Sequence, residues 1–296
     1  MRKRRKFVVA ALFLGLAVAL VTIATREREP CYKTRKLREW AEIYGSPEVY
    51  GAGAEDAARN ALQHIGTNAI PFLLRWIAYD ARPSRTRRAA VKTVLSIPLL
   101  RSVPTVKNWL HRDDPRLRRA EAAAGAFEAL GLHARAAIPE LRRLAGLSTD
   151  PGPARRALDA LVGIGPLAFP AVLGIVTNSR ADACFYAIAA IEEFGTNARP
   201  AVPILLSYLT NRELVGVAGE TLGHLKSESD TIVSGITNML PRAEPLFQEW
   251  MMTTLASLGP DARGATPALV SMLSSTNVGV RKEAETAIEA IRGERR

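Results

Sequence analysis

Cysteine and aromatic residues are scarce in this chain of 296 residues, which has two cysteines and only 6% aromatic residues. Two cysteines cannot build the framework of disulfides that holds small secreted domains together. Cys184 lies in an alanine-rich helical stretch, where a thiol acts as a small buried hydrophobe. Cys31 follows Pro30 rather than the small residues of a lipoprotein cleavage site. We therefore expect neither lipidation nor a disulfide between the two.

Residue patterns typical of strands and of catalytic or metal sites are also missing. No useful window alternates polar with β-branched residues, which predicts an all-α protein. The four histidines, His64, His111, His133 and His224, are in no H-x-x-x-H or H-E-x-x-H pattern, and no C-x-x-C pair occurs. Phosphate-binding glycine loops and a G-x-S-x-G elbow are missing as well. We expect no metal, no cofactor, no small-molecule substrate and no enzymatic activity.

Positive charge is abundant but unevenly distributed. The net charge is +11, and five consecutive cations occupy residues 2–6. Residues 85–156 contain 15 Lys or Arg and 6 Asp or Glu, whereas residues 157–296 contain 11 and 15. A uniformly basic protein would favour a nucleic-acid partner. This asymmetry instead predicts an interaction surface whose first half is basic.

A basic tail and an uncharged apolar run open the chain. Residues 1–6 form the tail, and residues 7–25 would span roughly 28 Å as a helix, close to the hydrocarbon thickness of a bilayer. The positive-inside rule then predicts a single-pass transmembrane anchor with a cytoplasmic N-terminus and extracytoplasmic (periplasmic) repeats. The alternative is a cleaved signal peptide and a secreted protein. Residues 26–53 predict a stalk or linker, in which Trp40 would dock on the first repeat.

A nine-residue stretch recurs through the rest of the chain. It reads Gly-Thr-Asn-Ala-Arg-Pro-Ala-Val-Pro at residues 195–203, with variants at 131–139 and 259–267 and a shortened copy at 66–71. Apolar residues at helical spacing precede and follow each copy. The glycine can adopt the left-handed backbone that ends one helix, and the proline suits the first turn of the next. Each copy therefore predicts a joint between two helices.

The joints recur at a nearly constant interval. Their prolines, with a valine in one weaker copy, are Pro71, Pro104, Pro139, Pro170, Pro203, Val233 and Pro267. A period of about one helical hairpin predicts stacked repeats that bury their apolar faces on one another. The predicted hairpins are 54–78, 84–111, 117–146, 153–177, 181–210, 212–241 and 246–274, followed by a closing helix at 278–292.

These joints resemble HEAT repeats. The closest likeness is the short bacterial form related to lyases, as in Leu-Gly-Pro-Asp-Ala-Arg at residues 258–263 followed by Pro-Ala-Leu at 267–269. The resemblance covers about residues 54–292, and we assign the whole of 54–296 to the array. It implies a right-handed α-solenoid of about seven hairpins whose second helices line the concave face. It adds no activity.

One position on the second helices is never apolar. Four residues after the joint it is occupied by Arg75, Asn108, Arg143, Gly174, Ser207, Thr237 and Ser271, whereas two residues after the joint the side chains are apolar, apart from Gly235. The first set predicts a polar row, which by the resemblance lines the concave groove. Its first half is cationic, with Lys107 and Arg142 beside Arg75 and Arg143. We take these four as candidate contacts for a protein partner with acidic residues. The alternative is a solvated helix face without a ligand.

A second row comprises Arg135, Arg199 and Arg263, which recur at every second joint. We expect them to brace neighbouring turns by hydrogen bonds to exposed carbonyls.

Taken together, the patterns predict a membrane-anchored, extracytoplasmic scaffold that binds a protein through its concave face. Two alternatives remain open. HEAT-like lyases and glycosylases exist, although a catalytic cluster is missing from the polar row. A nucleic-acid binder would require the array to be inside the cell.

Overall fold

Helices alternate with short turns along the described part of the chain. The computed structural model describes residues 28–80, 114–147, 151–178 and 181–293. Two short antiparallel strands come first, β1 (Cys31–Tyr32) and β2 (Arg35–Lys36). The helices are α1 (Leu37–Gly45), α2 (Pro47–Tyr50), α3 (Ala54–Ile65), α4 (Ile70–Ile77), α5 (Pro115–Leu130), α6 (Ile138–Leu147), α7 (Pro151–Ile164), α8 (Phe169–Asn178), α9 (Ala181–Ile191), α10 (Val202–Tyr208), α11 (Val215–His224), α12 (Ser229–Met239), α13 (Pro245–Leu258), α14 (Thr266–Met272) and α15 (Val278–Arg292).

These helices pair into hairpins, as the recurring joints predict. Within the described ranges the pairs are α3–α4, α5–α6, α7–α8, α9–α10, α11–α12 and α13–α14, and α15 follows without a second helix. The predicted closing helix at 278–292 is confirmed with the same bounds. Its first turn is capped by Asn277, whose side chain accepts hydrogen bonds from two backbone N–H groups.

The joint at Gly195 shows why glycine recurs there. Its φ of 53° and ψ of −125° lie in a region that residues with a Cβ avoid. Equivalent joint glycines also have positive φ, namely Gly66, Gly131, Gly165 and Gly259. Pro203 then lies in the first turn of α10, where its missing N–H is not needed. The predicted roles of glycine and proline are confirmed at these joints. The joint before α12 has Leu225 in place of glycine, with a negative φ.

One apolar core runs through the stack because each hairpin buries its inner faces on the next. First helices pack on first helices, and second helices pack on the first helix that follows. Small residues such as Ala126 and Ala160 are fully buried on first helices, which lets the helices approach closely. Leu141 and Leu205 are fully buried on second helices. Burying a leucine of this kind stabilises the fold by about 1.5–3 kcal/mol.

The hairpins α3–α4 and α5–α6 are direct neighbours, although residues 81–113 separate them in sequence. Helix α5 packs on α1, α3 and α4. The Gln63 side chain on α3 donates a hydrogen bond of 3.2 Å to the Ala129 carbonyl on α5. A Cβ placed on Gly45 of α1 would lie 3.5 Å from the Cβ of Ala122. The repeat period predicts a further hairpin at 84–111 between α3–α4 and α5–α6, but these two hairpins contact each other directly. That hairpin, with Pro104 and Lys107, lies outside the described residues.

Three side chains hold the end of α4 beside the start of α5. Asp114 caps α5 by accepting a hydrogen bond of 2.9 Å from the Arg116 backbone, and it accepts another of 2.7 Å from the Tyr79 hydroxyl. Arg156 of α7 is only 7% exposed. Its Nη2 donates to the carbonyl of Ile77 at 3.1 Å and also to that of Tyr79. Tyr79 and Asp114 therefore lie side by side, one after the end of α4 and the other at the start of α5.

Helix α1 belongs to the packed array, although it lies within the segment 26–53 that we predicted as a stalk. Leu37 and Ala41 are fully buried against α3 and α5. Trp40 is also buried, and its indole N–H donates to the Tyr32 carbonyl at 3.2 Å. The packing therefore begins ahead of residue 54, because the apolar side of α1 packs against two first helices, α3 and α5.

The predicted membrane localisation is contradicted. In the part of the chain that the structure describes, no helix combines the length and the apolar character needed to cross a membrane. The run at residues 7–25, from which we predicted the anchor and the periplasmic location of the repeats, lies outside the described residues. The single-pass topology is therefore withdrawn, and with it the membrane as a partner.

Candidate interaction surface

The polar row on the second helices faces outward. Arg75, Arg143, Ser207 and Ser271 are exposed, and Gly174 and Thr237 are partly exposed. Two residues earlier on the same helices the side chains are fully buried, namely Leu73, Leu141, Val172, Leu205 and Leu269. The outward and inward orientations that the joint spacing predicts are therefore found on the described helices.

The second half of the row presents little polar functionality to a ligand. The hydroxyls of Ser207, Thr237 and Ser271 donate hydrogen bonds to backbone carbonyls of their own helices, at 2.6–2.8 Å. Such back-bonding satisfies the hydroxyl within the helix. This half of the surface is therefore small, neutral and locally satisfied.

The cations in the first half differ in their surroundings. Arg143 donates two hydrogen bonds to Glu140, at 2.8 and 2.5 Å. The Arg143 guanidinium holds the pKa of the Glu140 carboxyl below its ordinary value. Arg75 lies over the Phe72 ring, with its Cζ 5.6 Å from the centroid. Arg142 is exposed, and its guanidinium lies against Gly174 of the next hairpin. Arg143 therefore contributes less positive potential than its exposure implies, because Glu140 offsets its charge.

The direct contact between α3–α4 and α5–α6 changes the spacing of the row. Arg75 and Arg143 occupy equivalent positions on hairpins that stack next to each other, rather than two repeats apart. The described cations of the row are thus concentrated on two adjacent second helices. Lys107, the remaining candidate, lies outside the described residues.

The joint arginines follow a different pattern from the one we expected. Arg199 does reach the neighbouring hairpin, but its Nε pairs with the carboxylate of Glu228 at 3.5 Å rather than with a carbonyl. Arg135 and Arg263 are exposed at their joints. Bracing is therefore found at one of the three positions, through an ion pair.

A groove on the first helices was not predicted. It is lined by Phe185, Gly216, Val217, Gly219, Glu220, Trp250, Thr253, Thr254 and Ser257, and its volume is about 430 Å³. We call it the aromatic groove. Phe185 and Trp250 are 46% and 39% exposed. The sequence offered little signal, because other large apolar side chains occur on the same helices and helical spacing alone assigns such residues to the core.

A metal site would need several His, Cys, Asp or Glu side chains close together. Over residues 28–80, 114–147, 151–178 and 181–293, no group of three or more His, Cys, Asp or Glu side chains lies close enough to hold a metal ion. His224 is hydrogen-bonded to Glu192 at 2.5 Å, on the exposed side of two adjacent first helices.

Comparisons with known proteins give a likeness of fold only. No family model matches the chain, and no curated protein matches it. Similar solved structures include a Kap121p mutant, with 14% identity and a TM-score of 0.42, and Kap121p bound to Nup53p, with 13% identity and a TM-score of 0.41. Each match covers 86% of this chain and 29% of the Kap121p chain. The chain thus spans less than a third of the length of these proteins.

The stacked hairpins themselves define the class of protein. Helix pairs joined at a positive-φ glycine, buried leucines on the second helices and a shared core are the features of a HEAT-like helical repeat protein.

Proposed function

We propose that the array is a non-enzymatic scaffold that binds a protein partner through the exposed side of its second helices. The observation that supports this proposal is the row itself, because one solvent-facing position repeats in register from hairpin to hairpin. Repeat arrays use such continuous surfaces to bind extended partners. In this proposal the row lines the concave side of the solenoid.

The partner segment is acidic. Arg75 and Arg142 are exposed on adjacent second helices, and Arg143 lies beside them. Lys107 would add a fourth cation. Clustered cations speed the approach of an acidic segment and fix its register, while adding only modest affinity for each exposed pair. The neutral second half of the row then accommodates the rest of the segment without charge discrimination.

The experiment measures binding of an oligo-glutamate peptide and of an oligo-glutamine peptide of equal length. The glutamate peptide should bind more tightly, and its affinity should fall as salt is raised. Arg75→Glu and Arg142→Glu should each weaken binding by about threefold to tenfold. Lys107→Glu tests the candidate outside the described residues.

Matched controls are Arg135→Glu and Arg263→Glu, which reverse exposed cations at the joints. They should leave peptide binding and the melting temperature unchanged. Equal losses in the row and joint variants would show that net charge alone drives binding and would contradict the proposal. A single-stranded oligonucleotide that competes at equal charge, with the same dependence on Arg75 and Arg142, would favour a nucleic-acid partner instead.

A further inference from the structure

The aromatic groove lies on first helices, whereas the exposed cations Arg75, Arg142 and Arg143, which we call the basic row, lie on second helices. Its floor is α11, where Gly216 and Gly219 let side chains of α13 approach the helix closely. Phe185 projects from α9 on one side, and Trp250 projects from α13 on the other. A Cβ on Gly216 would lie 3.4 Å from the Trp250 ring, so the indole covers the glycine. Glycine at this position therefore lets one edge of the Trp250 ring pack directly on the α11 backbone.

The acidic and basic side chains on the three helices that line the groove all have one sign. Helices α9, α11 and α13 contain Asp182, Glu220 and Glu249 but neither lysine nor arginine. The cation nearest in sequence, Arg212, is paired with Glu244 at 3.4 Å. Glu249 lies against Gly279, whereas Glu220 lines the groove itself. Within the described ranges, Glu220 is exposed and makes neither a hydrogen bond nor an ion pair.

We propose that the aromatic groove binds an arginine or lysine side chain carried by a segment of a partner protein. Cations are attracted to the faces of tryptophan and phenylalanine rings, and arginine also stacks on them. Glu220, which lines the groove, supplies the counter-charge. The apolar stem of the basic side chain packs along the glycine floor. This surface is separate from the basic row and has the opposite charge preference.

The probes are a blocked Leu-Arg-Leu tripeptide and its citrulline twin, which keeps the shape of arginine but removes the charge. Each is titrated into the full chain by calorimetry, and contact is located through the indole N–H resonance of Trp250, assigned by its loss in Trp250→Phe. The arginine peptide should bind and shift that resonance, and the citrulline peptide should bind about fivefold more weakly or worse.

Variants distinguish the groove from the rest of the surface. Glu220→Gln is isosteric at an exposed position, and it should weaken the arginine peptide while leaving the citrulline peptide unchanged. Phe185→Ala should weaken both. Glu289→Gln on α15 and Leu167→Ala at a joint change exposed residues elsewhere, and they should have no effect.

Three results would overturn the proposal. Equal binding of the two peptides would show an apolar groove without charge recognition. Failure of both peptides to bind would show that the groove holds no basic side chain. Concentration-dependent self-association of the chain that is lost in Trp250→Ala would assign the groove to a second copy. None of these results bears on the basic row, because no row residue is changed.

Discussion

Arg156 fixes the place where α4, α5 and α7 meet, so its removal should have a large effect on stability. Its guanidinium is buried and donates to the carbonyls of Ile77 and Tyr79 at the end of α4. Hydrogen bonds from a charged donor each contribute about 1.5–3 kcal/mol, and a cation at a helix C-terminus adds a few tenths to 2 kcal/mol. Allowing for solvation of the freed carbonyls, we expect Arg156→Ala to lower the free energy of unfolding by about 2–4 kcal/mol.

The assay is urea unfolding followed by circular dichroism, with Arg155→Ala as the matched control. Arg155 precedes Arg156 on α7 but is exposed, so its truncation should change the free energy of unfolding by no more than about 0.5 kcal/mol. Arg156→Met keeps the apolar stem and removes the donors, and it should recover only part of the loss. Equal stabilities of the Arg156 and Arg155 variants would refute the reasoning, because the buried contacts would then contribute nothing.

Two further predictions concern the same fold. The Tyr79 hydroxyl and the Arg116 backbone hold the pKa of Asp114 below its ordinary value, so the stabilisation is present above about pH 4 and is lost as the pH falls through the lowered pKa. Asp114→Asn should therefore be less stable than the wild type at pH 7, and the difference between their urea midpoints should shrink in acid. A difference that stays constant with pH would contradict this prediction. Gly195→Ala should lower the free energy of unfolding by about 1–3 kcal/mol, because Gly195 has a positive φ. Gly264 has an ordinary φ, and a Cβ placed there would have its nearest contact at 3.6 Å, so Gly264→Ala should leave the free energy of unfolding nearly unchanged in the same assay.

The positions of the hairpins could be predicted from the sequence because each joint carries its own local signals. A glycine that needs positive φ and a proline in the next helical turn fixed the last hairpin at 246–274, and the structure has it at Pro245–Met272. The order of stacking could not be predicted in the same way. Spacing along the chain does not reveal that α4 and α5 meet in space across residues 81–113.

The solvent-facing side of the second helices could be predicted from the sequence, but the contacts across hairpins could not. Counting from the joint proline identified which side of each second helix faces solvent. The ion pair of Arg143 with Glu140 could be predicted from their separation of three residues on one helix. The same separation does not decide whether Arg143 pairs with Glu140 or with an acidic residue of a partner protein. The aromatic groove depends on three helices from three hairpins, so no local pattern shows that Phe185 and Trp250 remain exposed.

The direct contact between the helices on either side of residues 81–113 determines the order of the hairpins, and an engineered disulfide tests that contact. A Cβ at position 45 would lie 3.5 Å from the Cβ of Ala122, within the range that disulfides span. In a Cys31→Ser background, Gly45→Cys with Ala122→Cys should oxidise readily to a disulfide in the folded chain. An intervening hairpin would move these two positions apart by roughly a further 10 Å, one helix-packing distance. Thiols at positions 45 and 122 that stay free in the folded protein, beyond the buried thiol of Cys184, would contradict the stacking described here and with it the placement of Arg75 beside Arg143.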